Sequence, residues 1–574
     1  MTGEGDLSIQ PAIAGRTPPN GTQGLRLHMF LSVLSGIMLG FSFPPSPFGI
    51  LACFGLVPLL VVLADTRSTW RALRFSYLTF LVFHVITLNW TGGFSHANDV
   101  YMMIAGTVTM TVHPLFYVLP IGAYLFTRRH LGEIPALVAL PAFWVAYEYT
   151  HSLSQWSFPW LTIGNSQSYD IAGIQFITVT GVYGLSLWIL VVNVLAYVLY
   201  SLAANRGLRI LSLRGGIWIA LLLAVFYIPK LHGLILLSGI EQTGTEPVGE
   251  GGTISVGIVQ PNLDPWQKWS MSGQETLELY LHLTDSLLRE EPACTPALVF
   301  WPETAIPYYL MADRNRSALS QIRSFLDTSG IALLTGVPHA VFYEDASTAP
   351  PSAKRFGSTG QRYDAFNAAI LIEPGSEEVQ WYGKMKMVPF AERVPYADLL
   401  HFIDFLRWDV GIGGWQIGSD TTVFVEKRTG ARFSAMVCYE STYPAFVAEF
   451  VRRGAEFISI ITIDSWWGRM SGAYQHKQFA IFRAVENRRW LVRSALGGIS
   501  CYIDPYGRAH QETELFTTAL LCRTIGREEE LTLYTRHGDW LAQGCLWLSC
   551  IFLAAGIGQR FLNKNREELW QTAL

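Results

Sequence analysis

Three segments of this chain each set a reactive side chain directly behind an apolar strand. The first is Phe433-Ser434-Ala435-Met436-Val437-Cys438-Tyr439-Glu440. A strand ends at Cys438, a helix is predicted from Ser441 through Arg453, and a second apolar strand follows at 457–462. A thiol at the carboxyl end of a buried strand and beside a helix N-terminus sits where its pKa can fall, and where open α/β folds gather their chemistry. The second segment, Val299-Phe300-Trp301-Pro302-Glu303-Thr304-Ala305-Ile306-Pro307, holds Glu303 rigidly between two prolines; a partly desolvated carboxylate near a thiol is a general base. The third, Trp381-Tyr382-Gly383-Lys384-Met385-Lys386-Met387-Val388-Pro389-Phe390, is followed by Glu392 and Pro395. Its lysine suits an oxyanion and lowers a neighbouring thiol's pKa. Base, cation and thiol together make an acyl-transfer site: Cys438 attacks an ester or amide carbonyl, Lys384 and a backbone N–H near Tyr439 hold the oxyanion, and a second nucleophile resolves the thioester.

Each residue also has a plainer reading. A lone cysteine is usually a small buried hydrophobe, and Cys294, Cys501 and Cys522 are read that way. Lys384 and Lys386 both fit a surface loop. Glu392 either holds Lys384 or pairs with Arg393 at the surface. His476 is a candidate base, but a solvated helix position is the expectation. Lys230 is expected to snorkel from a span end to the interface. The joint pattern of three strand-end residues favours chemistry over these separate readings.

The elements that position the three segments alternate short β-rich runs with amphipathic helices. Strands are predicted at 253–259, 297–301, 331–337, 368–373 and 379–382, and helices at 275–290 and 317–329. This argues for an α/β layered domain over about 253–527. Residues 343–363, rich in Ser, Pro, Ala and Arg, read as a surface loop.

Ahead of this domain lie about seven apolar runs of bilayer length, near 27–44, 48–64, 73–93, 101–126, 133–150, 180–203 and 215–238, and one follows at 540–558. Residues 1–26 read as a disordered tail and 559–574 as a cytoplasmic tail. The first run lacks a small-residue cleavage site and is expected to stay as an anchor. The 574 residues are 50% hydrophobic and only 15% charged, the balance of a membrane protein with a large soluble part. Arg67, Arg71 and Arg74, Arg128 and Arg129, and Arg206, Arg209 and Arg214 fall in alternate loops, while 45–47, 94–100 and 151–179 hold no Lys or Arg. That asymmetry puts every basic loop on the cytoplasmic side and the α/β domain outside. Arg560, Lys564 and Arg566 flank the last span as a cytoplasmic end should. The net charge of -4 and the lack of a basic stripe argue against nucleic acid as partner. The seven cysteines show neither metal-type spacing nor a disulfide framework. No metal or cofactor is expected.

In this order and this frame, Trp-Pro-Glu-Thr-Ala-Ile-Pro, Tyr-x-Lys-x-x-x-Val-Pro-Phe-x-Glu and Cys-Tyr-Glu resemble the Glu–Lys–Cys triad of the nitrilase superfamily. With spans on both sides, the chain resembles the apolipoprotein N-acyltransferase family over nearly its full length. Phe158-Pro159-Trp160-Leu161, Gln260-x-Asn262 with Lys268-Trp269, Asn367 and Asp464-x-Trp466-x-Gly468 add to the match. The resemblance implies an α-β-β-α sandwich in the periplasm, carried by a multi-pass helical domain in the bacterial inner membrane. It implies transfer of an acyl chain from a phospholipid, typically phosphatidylethanolamine, to the N-terminal amine of diacylglyceryl apolipoproteins. It makes Glu303 the base, Lys384 the oxyanion-stabilising lysine and Cys438 the nucleophile, with Trp269, Asn367, Glu392, Tyr439 and Glu440 lining or supporting the site. Trp266 and Trp269 fit either a lid over an acyl groove or an interfacial aromatic belt.

The pattern departs from the family at Lys386, where His is common, and at Ile463 and Leu496, where Asn is frequent. A membrane-anchored nitrilase-like amidase using water as acceptor is the alternative enzyme. A transporter whose outside domain only binds ligand is the non-enzymatic one, and for that reading the triad is superfluous.

Overall fold

Alternation along the strands sorts the second half of the chain into layers in the computed structural model. It describes residues 22–93, 100–206, 212–243, 251–268, 270–290, 294–345, 347–350, 353–357, 360–389, 391–393, 395–396 and 414–572. The strands are β1 (Thr253–Gln260), β2 (Leu298–Phe300), β3 (Ala332–Phe342), β4 (Lys354–Arg355), β5 (Arg362–Ile372), β6 (Val379–Gly383), β7 (Phe424–Glu426), β8 (Ala431–Val437), β9 (Phe457–Thr462), β10 (Leu491–Ala495), β11 (Cys501–Ile503), β12 (Ala509–His510) and β13 (Ala519–Gly526). One sheet has the order β13-β1-β2-β3-β5-β4, with β6 also on β5; the other has the order β12-β11-β10-β9-β8-β7.

Successive side chains of a strand point to opposite faces. Leu298, Phe300, Ala332, Leu334, Ala369 and Leu371 therefore join the core between the sheets, where Phe300 meets the rings of Phe433 and Phe457. Val299, Leu333, Ile370 and Ile372 turn outward and pack under helices Gly273–Glu290 and Arg316–Ser329 through Leu277, Tyr280, Ile322 and Leu326. Helices Pro444–Arg452 and Ser471–Asn487 cover the second sheet. This is the expected α-β-β-α sandwich.

The strand directions decide where chemistry can gather. β1, β2 and β3 are parallel, as are β8, β9 and β10. β6 runs antiparallel to β5, which runs antiparallel to β3, so β6 ends on the same edge as β2.

Among the described residues six helices are long and apolar enough to cross a membrane: Thr22–Phe41, Thr69–Gly92, Met102–Leu131, Val182–Ala204, Leu213–Ile240 and Trp540–Arg566. Two other predicted spans differ. The 48–64 run is broken into Gly49–Leu51, Ala52–Gly55 and Val57–Asp65 around Gly55 and Pro58, and Asn193 takes up the interrupted backbone by accepting from Leu56 N and donating to Ala52 O, both at 2.8 Å. Helix Glu133–Ser152 runs through the bundle, buried at every residue over 139–148. The first helix starts at Thr22, inside the stretch read as a tail, and the last continues to Thr572 through most of 559–574. Lys230 does not snorkel alone; it pairs with Asp170.

Two further expectations are corrected. Residues 343–363 are not all loop, since β4 and the start of β5 lie there. Cys294 and Cys522 are not lone hydrophobes but form a disulfide across 228 residues, Cα atoms 5.9 Å apart. β1 brings them together by pairing with β2 on one side and β13 on the other. Spacing along the chain carries no trace of that closure.

The helical bundle and the sandwich share one apolar core. Gln475 is the polar pin between them: it accepts from Trp90 Nε1 (3.0 Å) and Trp160 Nε1 (2.7 Å), and donates to Pro44 O (2.9 Å) and Thr87 O (3.1 Å). Gln475→Ala orphans all four buried groups, so the variant is expected to lose roughly 2–4 kcal/mol, read as a lower thermal unfolding midpoint in detergent micelles.

Candidate active site

Cys438 leaves β8 in the left-handed region, with φ +54. A non-glycine residue held there is strained by about 1–3 kcal/mol. The strain turns the chain sharply into a 3-10 turn, Cys438–Thr442, before helix Pro444–Arg452 begins; the helix predicted from Ser441 starts later. Tyr439 lies in this turn, where the first backbone N–H groups have no carbonyl of their own turn to bond. Glu440, fully buried, fixes the turn against the lysine segment. It accepts from Val437 N (2.8 Å), Tyr382 OH (2.6 Å), Met385 N (2.7 Å) and Lys386 N (3.1 Å). Burial pushes its carboxyl pKa up in spite of these donors.

Glu303 follows β2, and Thr304 behind it also has a positive φ, +43. Gly336 on β3 lets this bend approach: a Cβ there would lie 2.4 Å from Thr304 N and 2.7 Å from Glu303 Cα. Glu303 accepts from Asn367 Nδ2 (2.7 Å) and Ile463 N (3.2 Å). Ile463, a departure from the family pattern, thus contributes a backbone N–H that any residue but proline would supply. Lys384, 1% exposed, donates to Glu392 Oε1 at 2.8 Å and stands 3.6 Å from Glu303 Oε1. Val388 N holds the other oxygen of Glu392 at 2.8 Å. Glu392 therefore serves Lys384, while Arg393 reaches Gln416 instead.

Burial alone would lower the Lys384 pKa, but Glu392, Glu303 and Cys438 overrule it and raise it, so the lysine is a permanent cation. The thiol behaves otherwise than its place in the sequence suggests. Burial and the Glu303 charge push the Cys438 pKa up, and Lys384 only partly offsets them. Cys438 is a thiol at rest, so chemistry at its sulfur calls for a neighbouring base. Glu303, electrostatically coupled to both Cys438 and Lys384, stands in that position.

His476 is not solvated. It is fully buried, with Nδ1 2.8 Å from Asp464 Oδ1 and Nε2 2.9 Å from Ser441 Oγ and 3.1 Å from the Cys438 carbonyl. Against the effect of burial, Arg493 and His476 hold the Asp464 carboxyl well below its usual range; Arg493 Nη2 donates to Asp464 Oδ2 at 2.6 Å. His476 thus braces the cysteine turn from behind. The signal for this support was present: an arginine within the apolar strand Leu491–Ala495 needs a buried acid. Lys268, part of the Lys268-Trp269 motif, is 1% exposed and donates to Thr304 Oγ1 at 2.9 Å. Tyr439 OH donates to Ser157 O at 3.0 Å, and its ring lies parallel to those of Phe158 and Trp160. The Phe158-Pro159-Trp160 loop of the helical domain is thereby a wall of the site. Trp269 and the side chain of Trp266 lie outside the described residues. Among those residues no cluster of His, Cys, Asp or Glu suits a metal ion.

Burial pushes the Lys268 ammonium down to about 7, against the pull of Glu303. Between pH 7 and 10 the unfolded chain carries a proton here that the folded chain lacks, so stability rises with pH in this window, by up to about 1.4 kcal/mol per pH unit. Lys268→Met is expected to remove that slope and to be at least as stable as the parent at pH 7. Thermal midpoints measured across the window check this.

Comparison with known proteins places these features in a family. Residues 35–195 match the model of the apolipoprotein N-acyltransferase N-terminal domain, and residues 255–530 match that of the carbon-nitrogen hydrolases. The apolipoprotein N-acyltransferase of Chlorobaculum tepidum is 33% identical over 92% of this chain and 97% of its own length. That of Geobacter metallireducens is 31% identical over 91% and 94%. With a hydrolase-type sandwich fused to a matching membrane domain along almost the whole chain, this protein belongs to the apolipoprotein N-acyltransferase family.

Proposed function

We propose that Cys438 takes an acyl chain from a membrane phospholipid, the sn-1 chain of phosphatidylethanolamine in particular, and passes it to the α-amine of an S-diacylglyceryl cysteine on an apolipoprotein. The observation that carries this reading is the buried Glu303–Lys384–Glu392 cluster coupled to a thiol that is protonated at rest. In the first half-reaction Glu303 takes the thiol proton as Sγ bonds to the ester carbon. The carbonyl electron pair moves onto oxygen, held by Lys384 and the Tyr439 N–H. Collapse expels the lysophospholipid alkoxide, which receives the proton from Glu303 and leaves Cys438 as a thioester. In the second, the neutral amine attacks, Glu303 takes its proton, the C–S bond breaks and the thiolate is reprotonated. Asn367 and Ile463 N orient Glu303, Glu392 holds Lys384, and Glu440 sets the distance between the lysine and cysteine segments.

Both substrates are lipids, and a catalytic domain packed on its own helical bundle meets them without extracting them through water. The Arg distribution supports an inner-membrane protein with its catalytic domain on the periplasmic side. The Cys294–Cys522 pair supports the same side, because disulfides persist in oxidising compartments.

Incubation with phosphatidylethanolamine, followed by mass spectrometry of Cys438, is expected to show a stable acyl adduct until a peptide bearing a diacylglyceryl cysteine amine is added. Fatty acid released at once without acceptor would instead mark a hydrolase. Cys438→Ala and Cys438→Ser are expected to abolish the adduct with folding retained; wild-type turnover in either would sink the mechanism. Lys384→Ala is expected to lower kcat by about 100-fold or more, the scale of a lost oxyanion donor, with Lys386→Ala close to wild type in kcat. The reverse result would assign the oxyanion to Lys386.

A further inference from the structure

Among the described residues Lys386 is a cation that forms no ion pair, although the Glu440 carboxylate acts on it electrostatically. In the same domain Lys384 lies between two carboxylates, Lys427 pairs with Glu373 and Glu378, and Lys477 with Glu512. Lys386 is half-buried, and among the described residues its ammonium meets no carboxylate at ion-pair distance. It stands over the ring faces of Tyr443 and Phe446, 5.1 and 5.6 Å from their centroids. The nearby Glu440 carboxylate is occupied by Val437 N, Tyr382 OH and the Met385 and Lys386 backbone N–H groups. A half-desolvated ammonium on aromatic faces, whose nearest carboxylate is already engaged by four other donors, gains from an anion brought by a ligand.

Its position says which ligand. Tyr443 follows the cysteine turn directly, and its hydroxyl lies 2.6 Å from Ser157 Oγ in the loop of the membrane domain. Lys386 therefore stands at the seam between bundle and sandwich, one short turn from the nucleophile. A glycerophospholipid carries its single obligatory negative charge on the phosphodiester, a glycerol unit away from the sn-1 ester. We propose that Lys386 binds the phosphodiester of the acyl donor and so selects glycerophospholipids over uncharged esters; this rests on the phospholipid donor proposed above.

The test compares two donors in neutral detergent micelles, phosphatidylethanolamine and p-nitrophenyl palmitate, by the rate of Cys438 acylation in wild type, Lys386→Met and Lys386→Arg. A charge-assisted contact of this kind is worth about tenfold in affinity. Lys386→Met is expected to raise KM for phosphatidylethanolamine by about that factor at nearly constant kcat, to leave p-nitrophenyl palmitate unchanged, and to be largely rescued by Lys386→Arg. Unchanged KM for the phospholipid overturns the proposal. An equal rise for both donors also overturns it, because it marks a packing role against Tyr443 and Phe446. A wild type acylated by p-nitrophenyl palmitate but by no phospholipid defeats the donor reading itself, a result distinct from either failure of Lys386.

Discussion

One ammonium enclosed with two carboxylates sets the terms for the rest of the site. Lys384, Glu303 and Glu392 are all buried, and ionised together they carry one net negative charge. Burial first, and then the Glu303 charge, push the Cys438 thiol up rather than down, and Lys384 offsets only part of this. Moving the thiol proton to Glu303 leaves the total unchanged. A base beside the thiol fits this raised pKa, which disfavours a preformed thiolate of the kind found at exposed helix N-termini.

That constraint explains the supporting frame. Buried carboxylates need donors on their remaining lone pairs, and each has them: Asn367 and Ile463 N on Glu303, Val388 N on Glu392, four donors on Glu440. These donors come from β5, the end of β9, the segment after β6 and the end of β8. Only a sandwich whose strands end on one edge delivers them together. The helical bundle closes the remaining side through Trp160, Phe158 and Ser157, so the membrane domain is a wall of the site as well as its anchor.

The parts of this arrangement that could be read from the sequence are those with local signatures. Strands ending at Trp301 and Val437 show as apolar runs, and the residues behind them, Glu303 and Cys438, are marked by proline or by an abrupt change of polarity. Glu392 was legible as one of two pairings because it lies eight residues from Lys384. What depends on contacts across the fold was not legible. The Cys294–Cys522 bond requires knowing that β13 returns to β1. The burial of His476 requires Arg493 and Asp464 to meet behind the cysteine turn, and helix periodicity alone places His476 on either face. The direction of the Cys438 pKa shift was not legible for a related reason: the helix N-terminus is local, whereas the burial that raises the thiol, and the Glu303 charge that adds to it, come from contacts across the fold.

The same charge balance bears on the choice of acceptor in the proposed reaction. Once Cys438 is acylated, Glu303 is again a carboxylate beside Lys384, able to take one proton from whatever attacks. An α-amine, with a pKa near 7.7–8.0, is neutral in about one molecule in ten at pH 7, whereas a lysine side chain near 10.4 is neutral in fewer than about one in a thousand. The N-terminal amine therefore reaches the thioester already nucleophilic without any group in the site having to deprotonate it first. Its lipid anchor confines it to the same surface as the enzyme and raises its local concentration. Water has no such advantage at a site walled by Phe158, Trp160 and Tyr439, and its attack would still need Glu303 to remove a proton from a far weaker acid. In the proposed reaction, preference for an N-terminal amine over lysine thus rests on the amine's own pKa and on the lipid anchor that keeps it at the enzyme's surface.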